Sequence, residues 1–227
     1  MIAANLEKVR ERIAAAASRS GRHADEVTVV AISKTFPPTA IREAYEAGIR
    51  HFGENRVQEW ESKQPQLADL RDATCHLVGH LQSNKARRAA ILFHAIDSVD
   101  SIALAERLAR ARAEGSRKLD VLIEVRLALE ETKSGVTPDA LPALAEAILG
   151  WPELDLRGLM AIPPFFEAAE KSRPYFRRLR ELRDGLAARL GTALPELSMG
   201  MSHDFEMAIE EGATQIRVGT ALFGPRG

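Results

Sequence analysis

The chain has 227 residues, of which 45% are hydrophobic and 28% charged, and its formal net charge is -1 at pH 7. This length is enough to bury a sizeable core, and the composition is typical of a folded globular protein rather than a disordered or membrane chain. The 31 basic and 32 acidic residues nearly balance, which excludes an overall attraction to nucleic acid or anionic lipid. Any anion site must therefore be local.

Several features of the chain indicate the cytoplasm. Residues Met1 to Ser20 carry charged side chains among their alanines and lack the apolar core of a signal peptide. No later segment has the roughly 20 consecutive apolar residues of a membrane span. The single cysteine, Cys75, cannot form an intrachain disulfide, and the preference of free cysteine for interiors predicts that it is buried.

Short β-branched runs alternate with longer helical patterns along the whole chain, which is typical of βα units around a parallel sheet. A leading helix is predicted over Asn5 to Arg19. The eight predicted strands are Val27 to Ser33, His51 to Gly53, Cys75 to Gly79, Ala95 to Val99, Leu119 to Val125, Leu154 to Ala161, Glu196 to Met199 and Gln215 to Gly219. Apolar residues three or four apart predict further helices over Pro38 to Ala47, Arg56 to Leu70, Ser101 to Glu114, Pro138 to Leu149, Glu167 to Leu190 and Ser202 to Glu211.

This order of elements favours an α/β fold, a closed (β/α)8 TIM barrel. No Gly/Ser-rich linker or composition break divides the chain, so residues 1–227 are predicted to form a single domain. The alternative is a doubly wound open sheet, but its phosphate fingerprint G-x-G-x-x-G is absent from the sequence. In a barrel, functional residues collect where the strands end at their C-terminal side.

A lysine stands at the first of these strand ends. Lys34 follows the apolar run Val27 to Ile32 directly after Ser33. A lysine amine held against apolar walls loses hydration, its pKa falls, and it becomes a nucleophile that condenses with aldehydes. The alternative is a solvated lysine whose aliphatic stem lies along the barrel rim.

Strands seven and eight end in residues suited to a phosphate. Ser202 is predicted as the N-cap of the following helix, with Asp204 in its first turn and Gly200 just before it. Backbone N–H groups at such a start suit an anion. At the end of strand eight, Arg217 supplies a cation, and Gly219 lets the backbone come close to a ligand.

Strand two completes the sector, because Asn55 and Arg56 follow it and the first, seventh and eighth strands are neighbours once the barrel closes. Four polar strand ends on contiguous strands predict a ligand site at the mouth of the barrel.

Several motifs in this order resemble the pyridoxal phosphate homeostasis proteins, whose barrel is similar to the N-terminal domain of alanine racemase. They run in order over nearly the whole chain, and together they are specific. The matching stretches are Ala31-Ile32-Ser33-Lys34-Thr35, Phe52-Gly53-Glu54-Asn55-Arg56-Val57-Gln58-Glu59, His76-Leu77-Val78-Gly79-His80-Leu81-Gln82-Ser83-Asn84-Lys85, Lys133-Ser134-Gly135, Gly158-Leu159-Met160 and Leu197 through Gly224.

The resemblance implies a cofactor, pyridoxal 5'-phosphate (PLP), joined to Lys34 as an internal aldimine (Schiff base). It also implies that Ser202 and the backbone near Gly219 and Thr220 hold the phosphate. Arg217 would face the pyridine nitrogen and Asn55 the polar edge of the cofactor. An arginine at that nitrogen disfavours ring protonation and weakens the cofactor as an electron sink, which favours holding the cofactor over transaminase chemistry.

The implied function is a carrier or regulator in intracellular PLP homeostasis without robust turnover, with no residue assigned a catalytic role. PLP-dependent apo-enzymes are the implied protein partners, and the chain is expected to be a monomer or a weak dimer. Two positions depart from the family pattern. Arg126 stands where a small polar residue is usual, and His203 where an acidic residue is common.

Three alternatives remain at this point. The first is a racemase, which needs a second base. In alanine racemase this base is a tyrosine placed by a C-terminal domain, and no such domain is expected after strand eight here. The two tyrosines of the sequence, Tyr45 and Tyr175, fall in predicted outer helices. His76 and His80 are four residues apart, which is metal-ligand spacing on a helix. They lie at a strand end instead, and four residues of strand span about 13 Å, which is too far for both to bind one zinc ion unless a turn intervenes. The third alternative is a nucleic-acid module. Its basic residues would be Lys85, Arg87, Arg88 and those from Arg173 to Arg183, which also fit the solvated faces of two helices. No metal or nucleic acid is predicted.

Overall fold

A computed structural model of the chain describes residues 1–113, 117–128 and 134–225. Its eight strands pair in parallel and in chain order into a closed barrel, in which β8 returns to β1. The predicted (β/α)8 TIM barrel is confirmed. The strands are β1 (Thr28–Ile32), β2 (His51–Glu54), β3 (Thr74–Leu77), β4 (Ala95–Val99), β5 (Leu119–Glu124), β6 (Leu154–Met160), β7 (Glu196–Met201) and β8 (Gln215–Val218).

Helices surround the barrel, and most begin or end within a few residues of the predicted positions. They are α1 (Ile2–Arg19), α2 (Pro38–Glu46), α3 (Val57–Lys63), α4 (Ala86–Leu92), α5 (Ile102–Arg112), α6 (Leu141–Leu149), α7 (Arg173–Leu190), α8 (Phe205–Glu210) and α9 (Thr220–Phe223). Glu114, the predicted end of the fifth helix, and Lys133 of the Lys133-Ser134-Gly135 motif lie outside the described residues. The assignment of residues 1–227 to one domain stays a prediction.

Three predicted helix boundaries were wrong. The helix predicted to begin at Glu167 begins at Arg173, after a 3-10 turn over Ala169–Ser172. The helix predicted over Arg56 to Leu70 ends at Lys63 and continues as a 3-10 turn, because Pro65 has no N–H for a further α-helical bond. The helix predicted to begin at Ser202 begins at Phe205. Asp204 accepts a hydrogen bond from the Met201 N–H and donates its own N–H to the Met201 carbonyl, which closes a turn before the helix.

The core between barrel and helices is apolar and includes Cys75, which is buried as predicted. Burial raises the pKa of this thiol well above its usual value, so it stays protonated. Gly158 allows β6 to pass close to β7, because a Cβ at this position would come 1.9 Å from the Glu196 carbonyl oxygen. Among the described residues, no helix is both long and apolar enough to cross a membrane.

The interior of the barrel contains buried charged and polar side chains beside an apolar cluster of Val30, Ile32 and Val78, whereas TIM barrels are usually filled by branched apolar residues. Arg217 is level with Val30 on the neighbouring strand, so both side chains face the same side of the sheet. His76 contacts Asp97 through Nδ1 at 3.1 Å and His51 through Nε2 at 3.0 Å. Burial lowers the pKa of His76 but the Asp97 carboxylate raises it further, so the net pKa is above normal. The hydrogen-bonded series Asp97–His76–His51 was not predicted from the sequence.

Candidate functional site

Lys34 lies in a tight turn at the mouth of the barrel, immediately after β1 and Ser33. The Phe36 N–H donates to the Ser33 carbonyl at 3.0 Å, so Lys34 and Thr35 are the two central residues of the turn. Thr35 has φ of 69°, the only positive φ among the non-glycine residues that the structure describes. A β-branched residue in this region is strained, and such strain clusters at functional sites. Lys34 itself is half-buried, as its predicted place at the rim requires.

The loops after β7 and β8 meet at the Ser202 hydroxyl. Its Oγ accepts hydrogen bonds from the N–H groups of Gly219 at 3.2 Å and Ala221 at 3.3 Å. The sequence predicted that Ser202 caps α8, and this prediction was wrong. The Ser202 side chain instead turns toward the segment after β8. The Ser202 carbonyl accepts a hydrogen bond from the Arg12 guanidinium, which ties this loop to α1. Two backbone donors and one hydroxyl converge at one point, and this group of atoms suits a phosphate.

This phosphate-suited loop lies directly beside the lysine turn. Val218 is level with Ala31 in the sheet, and a Cβ on Gly219 would come 3.7 Å from the Ile32 Cβ. One residue, Ser33, separates Ile32 from Lys34. Phe36 and Phe223 also stack with their ring centroids 4.8 Å apart, which joins the turn to the segment after β8.

Arg217 is buried in the barrel below this loop. Its two terminal nitrogens donate to the Ser198 hydroxyl at 2.8 Å and to the Ala161 carbonyl at 2.9 Å, which fixes the plane of the guanidinium. Burial lowers the pKa of Arg217, and nearby carboxylates, chiefly that of Asp97, act in the opposite direction. Arginine keeps its charge under these conditions, so the guanidinium is a fixed cation inside the barrel.

Asn55 follows β2 and lies half-buried on the other side of the lysine turn. Gly79 makes room for it, since a Cβ on Gly79 would come 2.4 Å from the Asn55 carbonyl oxygen. Asn55 and Gly79 line an open cavity of about 870 Å³. Thr220 is exposed at the start of α9, between the two residues whose N–H groups reach Ser202. The sector predicted from the sequence is therefore contiguous, while the role of each residue toward a cofactor stays a prediction.

Of the two positions that depart from the family pattern, Arg126 follows β5 and His203 follows Ser202 in the loop after β7. Arg126 lines a separate cavity of about 630 Å³ with His80, Glu124 and Ser134. Burial raises the pKa of Glu124, against the effect of a hydrogen bond from Ser134. The His203 ring nitrogen contacts the carbonyls of Phe166 and Glu167 at 3.1 and 3.0 Å.

The histidines that raised the metal alternative have separate partners. His76 is buried on Asp97, whereas the exposed His80 pairs with Asp100 at 3.3 Å. In the part of the chain that the structure describes, no group of three or more His, Cys, Asp or Glu residues has metal-site geometry.

A buried group of ionic side chains behind the lysine turn was missed by the sequence analysis. Lys63 of α3, only 8% exposed, bonds to Glu54 and Glu59, and Glu54 also bonds to Ser33. The one signal in the sequence was the spacing of Glu59 and Lys63, four residues apart on a helix, which is also typical of ordinary surface pairs.

The sequence and the fold are similar to those of known proteins. The family model for the alanine racemase N-terminal domain matches residues 4–227. The pyridoxal phosphate homeostasis protein of Aquifex aeolicus is 48% identical over 97% of this chain and 96% of its own length, and that of Escherichia coli is 43% identical over 99% and 97%.

Solved structures agree with these relatives. PipY of Synechococcus elongatus, solved with PLP bound, is 44% identical, covers 99% of this chain and 100% of its own, and has a TM-score of 0.88. An alanine racemase of Clostridium difficile shares the fold at 13% identity, with a TM-score of 0.73 over 98% of this chain and 57% of its own. The chain belongs to the alanine racemase N-terminal domain family and, within it, to the pyridoxal phosphate homeostasis proteins.

Proposed function

We propose that this protein binds PLP through Lys34 and acts in the intracellular homeostasis of that cofactor, as a carrier or regulator. The observation that carries the proposal is the contiguity of the lysine turn with the Ser202 hydroxyl and the N–H groups of Gly219 and Ala221. A relative of 44% identity has been solved with PLP bound, which supports the same ligand here.

The residues of the mouth have distinct tasks in this proposal. Ser202 and the backbone of Gly219 and Thr220 bind the phosphate, while Asn55 contacts the polar edge of the ring. When bound, PLP supplies an aldehyde that condenses with a lysine amine and releases water, and hydrolysis reverses this link. Lys34 presents that amine from a turn whose backbone is already fixed, which lowers the entropy lost on binding.

Arg217 sets the character of the site. Its guanidinium is held by Ser198 and Ala161 and keeps its positive charge, so a pyridine nitrogen facing it resists protonation. An unprotonated ring withdraws electrons poorly, which disfavours amino-acid turnover. The names of the relatives are those of homeostasis proteins rather than enzymes, in line with this part of the proposal.

Delivery of the cofactor to PLP-dependent apo-enzymes, a cytoplasmic location and a monomer or weak dimer complete the proposal. Transfer from the loaded protein to an apo-enzyme that is faster than release into buffer supports direct delivery. Equal rates show that the cofactor passes through solution.

The binding site is tested by absorbance spectra of the wild type, Lys34→Ala and Lys171→Ala after addition of PLP and removal of the excess. Lys171 is an exposed lysine before α7, so its variant controls for reaction at surface amines. We expect a borohydride-reducible band in the wild type and in Lys171→Ala, with its loss in Lys34→Ala. A band that persists in Lys34→Ala overturns the assignment of Lys34, and no band in any of the three overturns the PLP proposal.

A further inference from the structure

The turn that carries Lys34 adopts a conformation that its own sequence disfavours. Thr35 is in the left-handed region, at φ of 69°, where glycine or asparagine is the usual residue. A β-branched residue stays in this region only when surrounding contacts hold it there. The sequence of the turn therefore does not explain its shape.

The contacts that hold the turn come from α3. The Thr35 N–H donates to Glu59 Oε1, and the same oxygen accepts from the Lys63 ammonium at 2.7 Å. Glu59 and Lys63 are one helical turn apart, so the pair is rigid relative to the helix. Burial raises the pKa of Glu59, but the hydrogen bonds from Lys63 and Thr35 lower it further, and the carboxyl is ionised as the acceptor role requires.

Lys63 also holds the residue on the other side of Lys34. Its Nζ donates to the Ser33 carbonyl at 2.9 Å and to Glu54 Oε1 at 2.8 Å, and Glu54 Oε1 accepts in addition from the Ser33 hydroxyl at 2.7 Å. An ammonium has three N–H donors. With Glu59 as its third acceptor, Lys63 uses all of them, so it fastens the backbone of the turn on both sides of Lys34.

The burial of this cluster argues for a role beyond an ordinary surface ion pair. The side chain of Glu54 is fully buried and that of Lys63 is 8% exposed. Desolvation of charged groups is costly, and a buried ion pair of this kind is weak evidence for overall stability. Its effect is geometric, because each hydrogen bond fixes the position of a donor relative to its acceptor.

We propose that Lys63 is a positioning residue for Lys34, acting through Glu59 and Glu54 to hold the Ser33–Phe36 turn in its strained conformation. The proposal rests on the proposed function, since it assigns Lys63 a part in the reaction of Lys34 with the cofactor aldehyde. Lys63 does not contact the cofactor in this proposal. The expected consequence is that loss of Lys63 slows the reaction at Lys34 while the phosphate site remains intact.

The test uses Lys63→Met, Lys63→Arg, Glu59→Ala and the control Glu61→Ala. Glu61 is on the same helix and pairs with Arg88 at the surface, so its variant reproduces the loss of a carboxylate without touching the turn. In the cofactor-free proteins, we expect exchange of the Thr35 amide hydrogen to accelerate at least about 10-fold in Lys63→Met and Glu59→Ala. Glu61→Ala is expected to match the wild type.

Two ligands then separate positioning from folding. PLP reports the rate of band formation at Lys34, whereas pyridoxine 5'-phosphate, which has an alcohol in place of the aldehyde, reports binding alone. We expect Lys63→Met and Glu59→Ala to slow band formation about 10- to 100-fold, as misplacement of a reacting group does, with affinity for pyridoxine 5'-phosphate within about twofold of the wild type. Lys63→Arg, which keeps the charge and the donors, is expected to recover part of the rate.

Unchanged band formation in both Lys63→Met and Glu59→Ala overturns the inference. A parallel loss of rate, affinity and melting temperature also overturns it, because that pattern marks a structural role. If Lys63→Met does not fold, Glu59→Ala alone decides. If the wild type itself forms no band, the proposed function fails, and Thr35 exchange still decides whether Lys63 holds the turn.

Discussion

Replacement of Ser202 by alanine is expected to weaken the binding of PLP while leaving the binding of pyridoxal unchanged. The Ser202 hydroxyl lies within 3.3 Å of two backbone nitrogens, those of Gly219 and Ala221, and in our proposal this hydroxyl binds the phosphate together with the backbone of Gly219 and Thr220. A hydrogen bond to a charged group contributes about 1.5–3 kcal/mol. Its loss raises the Kd for PLP by about 10- to 150-fold.

Pyridoxal has no phosphate, so its Kd is expected to change by less than about twofold. The fold tolerates the change, because Ser202 and Gly219 are half-buried and water can replace the hydroxyl, at a cost of about 1 kcal/mol in the free energy of unfolding. The assay is an absorbance titration of each variant with both ligands. Ser101→Ala, which removes a serine that caps α5, is the control. Equal losses for both ligands, or no loss for either, refute the phosphate assignment.

Three further predictions concern stability. Burial lowers the pKa of His51 and of His94 to about 4 from 6.5, so their stabilising effect is complete above pH 6.5 and is lost as the pH falls to 4. With allowance for solvent screening of the partly exposed rings, each contributes about 1–2 kcal/mol, and melting temperatures that do not fall over this range contradict the prediction. Gly158→Ala is expected to cost about 3 kcal/mol in urea unfolding, because the new Cβ meets the Glu196 carbonyl, and a wild-type midpoint counts against it. Gly185→Ala, in α7 with no atom within 4 Å of the new Cβ, is expected to raise the unfolding free energy by about 0.5–1 kcal/mol, and a decrease is the contrary result.

The buried polar side chains inside the barrel help to hold the geometry of the site. Arg217 donates to Ser198 and to the Ala161 carbonyl, while His76 joins Asp97 to His51 deeper in the barrel. Buried polar groups that are hydrogen-bonded to one another favour a single arrangement, since each has few alternative partners. These hydrogen-bonded side chains therefore give the residues at the mouth of the barrel a rigid support.

The sequence by itself determined the barrel and the sector of the site. Both follow from local patterns, because strand and helix periods give the order of βα units, and that order brings the ends of β7, β8, β1 and β2 together in any closed barrel. Lys34, Asn55, Ser202, Arg217 and Gly219 lie at these strand ends, and their roles toward a cofactor stay predictions. Their spacing along the chain needed no further information.

Only the tertiary structure decided what each of these residues contacts. Ser202 has the residue type of an N-cap, but its hydroxyl turns to the segment after β8, which is 17 residues away in the sequence. Lys63 has the spacing of a surface pair with Glu59, yet it is buried because the end of β1 packs over it and supplies the Ser33 carbonyl, 30 residues away. Local periodicity identifies which face of an element is apolar. It does not identify the distant backbone group that meets a polar side chain, since that depends on how separate elements pack.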